Sequence, residues 1–212
     1  MKYPIGIQDF ESLRTNDYTY VDKTSLIYKL ANEGKYYFLS RPRRFGKSLL
    51  VSTLSAYFSG KRELFKGLEI EQLEKDWKKY PVMHLDLNTD KYDSKEVLEQ
   101  RLNLFLSDWE EDYGRNINEV TLSQRFEGII KRIAIKEGMP VVILVDEYDK
   151  PMLQAISNKE LQTAYRNTLK AFYGALKSQD KYIRFAFLTG VTKFGKVSVF
   201  SDLNNLTDIS MD

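Results

Sequence analysis

The stretch "FLSRPRRFGKSLL", from Phe38 to Leu50, decides the fold class predicted for this chain. It ends in Gly46-Lys47-Ser48, which matches the end of the phosphate-binding loop pattern Gly-x-x-x-x-Gly-Lys-Ser/Thr. The first glycine of that pattern would stand at position 41, where the chain has Arg41. The stretch is therefore a working nucleotide site, a decayed one, or a basic loop that contains Gly-Lys-Ser by chance.

The flanks of the loop meet the demands of phosphate binding. Backbone N–H groups must converge at a helix N-terminus, a lysine must reach the β- and γ-phosphates, and a hydroxyl must ligate Mg²⁺. Gly46, Lys47 and Ser48 can supply these three functions in that order, between a predicted strand that ends at Ser40 and a predicted helix over 48–58. On this tripeptide alone, a basic loop that merely opens a helix stays an equal alternative.

Strand-like and helix-like segments alternate along the chain, which predicts an α/β fold with a mainly parallel sheet. The predicted strands are 35–40, 82–88, 141–147 and 182–190, and the predicted helices are 48–58, 94–113, 126–135 and 161–176, with an earlier helix starting at Asp22. Ser94 is a candidate helix cap, and His84, the single histidine, is predicted to pack in the core. The final segment, from Thr192 onward, has weak periodicity and no clear closing element.

A pair of acids follows the strongest predicted strand, "VVILVDEYDK" from Val141 to Lys150. In a phosphate-loop ATPase, Asp146 would hold Mg²⁺ together with Ser48, and Glu147 would polarise the attacking water as general base. Alternatively, both acids solvate the strand end and cap the next helix. For the nearby Asp149, a position at a helix start or in an ion pair is a sufficient explanation. Together with the Gly-Lys-Ser loop, the acid pair favours an ATPase-type site.

Bulk properties exclude several classes of protein. The chain has 212 residues, a net charge of +2 and no cysteine, so no global basic field argues for nucleic acid and no disulfide or thiolate metal site can form. The N-terminus has no signal-peptide pattern, and no run approaches the roughly 18 apolar residues of a membrane span. A cytoplasmic location is expected. ATP is favoured over GTP because the sequence has no Asn-Lys-x-Asp guanine motif.

Four segments together resemble the bacterial AAA-ATPase-like family: "YVDKT", "FLSRPRRFGKSLL", "ILVDEYDKP" and "FLTGVTKFGKVSVFSDLNNLTDIS". They span almost the whole chain in the expected order. The family carries an arginine-rich loop, so the resemblance makes Arg41 a family feature. It also implies a three-layer phosphate-loop fold of the additional-strand type, in which the strand 182–190 lies between the two motif-bearing strands. Thr189 would then lie beside the γ-phosphate as a sensor.

We predict that the nucleotide site is built from the loop, the start of its helix and the sensor strand. The predicted nucleotide contacts are Arg43, Arg44, Phe45, Gly46, Lys47, Ser48, Leu49 and Thr189. Ser48 and Asp146 are the predicted Mg²⁺ ligands, and Glu147 and Lys47 are the predicted catalytic residues.

The three arginines of the loop, Arg41, Arg43 and Arg44, either stiffen it or bring an arginine to phosphate. Arg44 is favoured for phosphate because it is the arginine nearest to Gly46. No wider basic patch supports a nucleic-acid role for them. Lys193 and Lys196 are weaker phosphate candidates.

The expected organisation is a single domain over residues 1–212, with residues 1–34 as a helical lead-in. Many members of the family continue into a C-terminal nuclease-like domain, and the unclosed final segment suggests that this chain is the N-terminal part of a longer protein. The expected function is Mg²⁺-dependent ATP hydrolysis that changes the conformation of an attached domain or partner protein. The alternative is a nucleotide-dependent regulatory module with little turnover.

Overall fold

The computed structural model describes residues 2–193, 199–200, 203 and 205–210. Within these residues, five strands form one parallel sheet in the spatial order β2-β3-β4-β1-β5. The strands are β1 (Tyr36–Ser40), β2 (Val82–Asp86), β3 (Val141–Asp146), β4 (Ile183–Gly190) and β5 (Thr207–Asp208). The four predicted strands are therefore confirmed, with ends that differ by at most two residues.

Helices connect the strands and cover both faces of the sheet. They are α1 (Phe10–Thr15), α2 (Thr24–Glu33), α3 (Lys47–Phe58), α4 (Glu69–Leu73), α5 (Lys95–Tyr113), α6 (Leu122–Glu137), α7 (Lys150–Gln154) and α8 (Lys159–Ser178). The predicted helix over 126–135 begins earlier because Thr121 and Gln124 form a capping box, and it ends as expected at Gly138, which has a φ of 64°. None of the described helices has both the length and the apolar character that a membrane crossing requires.

The position of β4 confirms the additional-strand arrangement. This strand lies between β1, which precedes the Gly-Lys-Ser loop, and β3, which ends at the acid pair. Strands in parallel register bring their carboxyl ends to one edge of the sheet. Ser40, Asp146 and Gly190 consequently end their strands at the same edge, where the loop and the two acids meet.

Side-chain alternation along β3 divides the core into two layers around the sheet. Val142 and Leu144 pack on the side of α3, together with Val51 and Leu54 of that helix. Ile143 and the neighbouring odd-numbered residues pack on the opposite side, against α5, α6 and α8. Since a strand presents successive side chains to opposite faces, Asp146 shares the face of Val142 and Leu144 and lies on the side of the loop helix.

Some local predictions are wrong. His84 is exposed on β2, which is an edge strand, so the predicted core histidine is not in the core. Ser94 occupies the N-cap position of α5 with extended backbone, but its side chain makes no capping hydrogen bond. The helix predicted from Asp22 begins at Thr24, and an Asp22 carboxylate oxygen accepts a hydrogen bond from the Thr24 backbone N–H at 2.8 Å.

A fifth strand, β5, forms one edge of the sheet, in the final segment where the sequence predicted no regular element. Thr207 and Asp208 pair in parallel with Tyr37 and Phe38 of β1, and the Ile209 N–H donates to the Phe38 carbonyl at 2.9 Å. A strand of two residues is too short to produce a periodic hydrophobic signal. It pairs with the backbone groups on the outer edge of β1.

Gly190 is required at the end of β4 for steric reasons. A Cβ at this position would come within 2.6 Å of Tyr148 Cε1 and 2.8 Å of Asp149 Oδ1. We expect Gly190→Ala to lower the free energy of unfolding by about 1–3 kcal/mol, measured by chemical denaturation. Gly174→Ala is the matched control, because a Cβ there meets no atom within 4 Å in the middle of α8. It should leave stability unchanged or raise it by up to about 1 kcal/mol, and equal losses in both variants would contradict the steric argument.

Candidate nucleotide-binding site

The Gly-Lys-Ser loop joins β1 to α3 and uses left-handed backbone at two positions. Gly46, the N-cap residue of α3, has a φ of 76°, and Arg44 has a φ of 68°. Glycine adopts such a conformation without steric cost, whereas for arginine it costs of order 1–2 kcal/mol. The φ of Arg41 is not positive. The chain therefore does not need a glycine at position 41, and the conformation that favours glycine occurs three residues later, at Arg44.

Arg41 contributes to the site through its backbone. Its N–H donates to the Gly190 carbonyl at 3.1 Å, and its own carbonyl accepts a hydrogen bond from Lys47 Nζ at 2.9 Å. Any residue other than proline can provide both groups with this backbone conformation. The arginine at position 41, in place of the usual glycine, therefore leaves both of these backbone contacts intact.

Lys47 is the best-enclosed cation of the site. Its side chain is only 4% exposed, and Nζ lies 3.2 Å from Glu147 Oε1, in addition to accepting carbonyls of Arg41 at 2.9 Å and Pro42 at 3.3 Å. An ammonium group has three N–H donors, so these three oxygens can satisfy it. Lys47 Nζ thus lies among oxygen acceptors, the kind of group that a phosphate also presents.

Glu147 follows β3 and is held in an unusual conformation. Its φ is 55°, in the left-handed region, and its carboxylate pairs with Lys47. Burial raises the pKa of Glu147 above its ordinary value, and the nearby Lys47 ammonium limits that rise. Strained backbone and a perturbed carboxyl group beside a buried lysine are features that concentrate at reactive sites.

Asp146 and Thr189 form the third part of the site. The Thr189 hydroxyl donates a hydrogen bond to Asp146 Oδ1, and it accepts one from the Glu147 backbone N–H at 3.3 Å. Both side chains are buried. The structure thus brings the predicted sensor residue directly against the predicted acid pair, although the residues are more than forty positions apart in sequence.

The remaining predicted residues surround this centre. Arg43, Arg44 and Phe45 extend outward from the loop and are exposed. Ser48 is the second residue of α3 and is half-buried, and Leu49 packs partly into the core layer beside α3. Lys193 Nζ forms an ion pair with Asp208 Oδ2 at 2.9 Å. Lys196 lies outside the described residues.

The structure places Asp149 at a helix start, as the sequence suggested, but gives its side chain a different role. Asp149 stands at the N-cap position of α7, but its side chain does not cap that helix. Its carboxylate instead accepts hydrogen bonds from residues 191–192, which follow β4. The sequence gives no signal for this contact, because its two sides are separated by more than forty residues and meet only when β3 and β4 pair.

Comparison with known proteins agrees with this architecture. The chain is 42% identical over 213 residues to a protein of Azotobacter chroococcum mcd 1 described as "Uncharacterized protein in vnfD 5'region". The match includes all of this chain and 41% of the relative's length, so the chain spans about two fifths of that protein. A family model described as "Predicted AAA-ATPase" matches residues 4–200. The chain therefore belongs to the AAA-ATPase-like family, whose description is that of a nucleotide-binding domain.

Proposed function

We propose that this chain is a Mg²⁺-dependent ATPase domain. The observation that carries the proposal is the contact of Lys47 Nζ with Glu147 Oε1 at 3.2 Å, at the edge of the sheet where the loop helix begins. A buried lysine at a helix N-terminus can neutralise phosphate, and a carboxylate with a raised pKa can accept a proton. Their contact brings the phosphate-binding group and the proposed base within reach of one phosphoryl group.

Nucleotide binding would be carried by the loop and the start of α3. The backbone N–H groups at the helix N-terminus and the ammonium of Lys47 would receive the β- and γ-phosphates. Gly46 leaves open space, because a Cβ there would meet no atom within 4 Å. The exposed Arg43, Arg44 and Phe45 would contact the nucleotide from outside the loop, and Leu49 from the first turn of α3.

The residues that would hold Mg²⁺ are Ser48 and Asp146. Mg²⁺ in nucleotide sites commonly keeps several waters and takes one or two protein oxygens besides the phosphates. Ser48 supplies a hydroxyl at the first turn of α3, and Asp146 supplies a buried carboxylate whose Oδ1 already accepts from Thr189. When bound, the ion would neutralise charge that develops on the phosphoryl oxygens.

Hydrolysis would depend on a change of partners at Lys47. When ATP binds, the phosphate oxygens compete for Lys47 Nζ, and Glu147 is released to accept a proton from the attacking water. Thr189 would stay against Asp146 and report on the γ-phosphate position. Positioning and charge stabilisation would then supply most of the rate enhancement, as in other phosphoryl-transfer sites.

The proposed output is a conformational change in an attached domain or partner protein. Residues 1–212 would act as one ATPase domain, with residues 1–34 as its helical lead-in. The much greater length of the Azotobacter relative is compatible with a further domain, and a nuclease-like domain is the attachment suggested by resemblance to the family.

A regulatory module with little turnover is the second candidate. The same Lys47–Glu147 contact favours it, because it joins the phosphate-binding lysine directly to a second residue whose position a bound phosphate would change. In that case ATP would bind and change the position of Glu147 without being hydrolysed. The two candidates share the binding site and differ in phosphate release.

The pH dependence of hydrolysis tests the proposal. We expect wild-type protein to release phosphate from Mg-ATP but not from ATP with excess EDTA, and kcat/KM to rise with pH as Glu147 ionises. The rise should be centred above the ordinary pKa of glutamate, because burial raises the Glu147 pKa and only the ionised form accepts a proton. Tight ATP binding without Mg²⁺-dependent phosphate release would favour the regulatory module instead.

A further inference from the structure

The turn after β3 and the end of β4 are joined by successive hydrogen bonds. The Glu147 N–H donates to Thr189 Oγ1 at 3.3 Å, and the Tyr148 N–H donates to the Thr189 carbonyl at 2.9 Å. At the next residue after Tyr148, the Asp149 carboxylate accepts hydrogen bonds from residues 191–192, two and three positions after Thr189. The proposed base and the proposed sensor therefore belong to one hydrogen-bonded unit.

Asp149 has unusual surroundings for a carboxylate. It is 0% exposed. Its Oδ1 accepts from the Val191 N–H at 3.1 Å, and its Oδ2 accepts from the Thr192 N–H at 2.8 Å and the Thr192 hydroxyl at 2.9 Å. A buried carboxylate is costly unless hydrogen bonds compensate for lost hydration. These donors all come from the loop after β4, so the Asp149 carboxylate holds that loop in place by hydrogen bonds.

The loop after β4 also reaches the strand beside β1. Gly190 lies against Asp149 with no space for a Cβ, and Lys193 pairs with Asp208 of β5 at 2.9 Å. Two residues beyond Asp208, the Ser210 hydroxyl accepts from the Ser40 N–H at 2.8 Å, immediately before the Gly-Lys-Ser loop. The loop held by Asp149 is thus linked to β5, and the residues just after β5 contact the start of the Gly-Lys-Ser loop.

We infer that Asp149 is a positioning residue for ATP hydrolysis, and this inference rests on the proposed function. By holding residues 191–192, Asp149 fixes the end of β4. The Thr189 hydroxyl then stays in place to donate to Asp146 and to accept from the Glu147 N–H. Loss of the carboxylate would free the end of β4 and change the orientation of Thr189 and Glu147. Nucleotide binding would persist, because the groups proposed to hold the phosphates lie on the loop after β1 and on α3.

The first test is Asp149→Asn, which preserves the size of the side chain but puts an NH₂ group among N–H donors. We expect kcat for Mg-ATP to fall by about 10- to 100-fold, as small displacements in an active site can cause. The ATP dissociation constant, measured by titration calorimetry, should change by less than about threefold. This separation between kcat and affinity distinguishes positioning from a general loss of structure.

Glu110→Gln is the matched control. Glu110 is also a buried carboxylate, but it pairs with Arg125 between α5 and α6, at 2.7 and 2.9 Å. Its replacement should lower thermal stability and leave kcat close to the wild-type value. An Asp149→Asn protein with wild-type kcat would overturn the inference, and so would a loss of affinity as large as the loss of kcat.

A second variant and a second measurement cover the other outcomes. Thr192→Val removes only one donor to Asp149, so it should fold and should lower kcat by a smaller factor than Asp149→Asn does. An unchanged kcat would count against the inference.

Hydrogen exchange of the amides at 191 and 192 reports the contact with Asp149 without any need for ATP turnover. Faster exchange in Asp149→Asn supports the contact, and unchanged exchange refutes it. A wild-type protein that releases no phosphate would instead refute the proposed ATPase function.

Discussion

Replacement of Glu147 by glutamine is expected to reduce ATP hydrolysis by about 10²- to 10⁴-fold, the contribution typical of a general base. Glutamine has nearly the same size but cannot accept the proton of the attacking water. The same variant should bind ATP at least as tightly as wild type, because Lys47 loses its charged partner, Glu147, which lies 3.2 Å away and would compete with the phosphates. Phosphate release and equilibrium ATP binding, both with Mg²⁺, measure the two effects.

The opposite directions of these effects make the experiment specific. Glu110→Gln also removes the negative charge of a buried glutamate that pairs with a cation, Arg125, but α5 packs on the face of the sheet opposite α3. It should change neither hydrolysis nor affinity. If Glu147→Gln hydrolyses ATP at the wild-type rate, Glu147 is not the base. If it instead binds ATP more weakly, the Lys47–Glu147 pair does not compete with the nucleotide.

Lys47→Ala is expected to weaken ATP binding by about 100-fold or more. A charge-assisted hydrogen bond contributes roughly 1.5–3 kcal/mol, and Lys47 would make more than one such bond to the phosphates. The loss should be seen in titration calorimetry with Mg-ATP, and hydrolysis should fall with it.

Lys61→Ala is the matched control for this loss. Lys61 also forms an ion pair, with Glu11, but on the surface and with 41% of its side chain exposed. Surface pairs of this kind contribute little, so ATP binding should not change. A Lys47→Ala protein that keeps its fold and binds ATP as tightly as wild type would contradict the assignment of residues 41–48 as a phosphate-binding loop.

The arginine-rich loop shows why a sequence pattern can depart from its usual form without losing its geometry. The backbone of Arg41 makes its contacts with a φ that is not positive, so its side chain is compatible with the loop. Arg44 adopts the left-handed conformation two residues before Gly46, which adopts it as well. The two roles left open by the sequence, a stiffer loop and an arginine on the phosphate, both stay predictions. Arg44 is exposed, and its contact with phosphate stays a prediction.

Much of the fold was predictable because local patterns determine it. The buried strand over 141–146, the loop helix from Lys47 and the alternation of strands with helices all follow from hydrophobic periodicity and from glycine and cap positions. The position of β4 between β1 and β3 followed from the family resemblance. The two-residue strand β5 and the exposure of His84 were not predictable, because each depends on which strand lies at an edge of the sheet.

The sequence by itself determined which residues could do the chemistry: a lysine and a serine after a glycine, and two acids after a buried strand. Only the tertiary structure decided their partners. Lys47 meets Glu147, Thr189 meets Asp146, and Asp149 meets residues 191–192. Each contact joins residues from different strands or loops, and parallel strands bring such residues together only through long crossover connections. Local sequence patterns carry residue type and spacing, whereas these contacts depend on strand order and register.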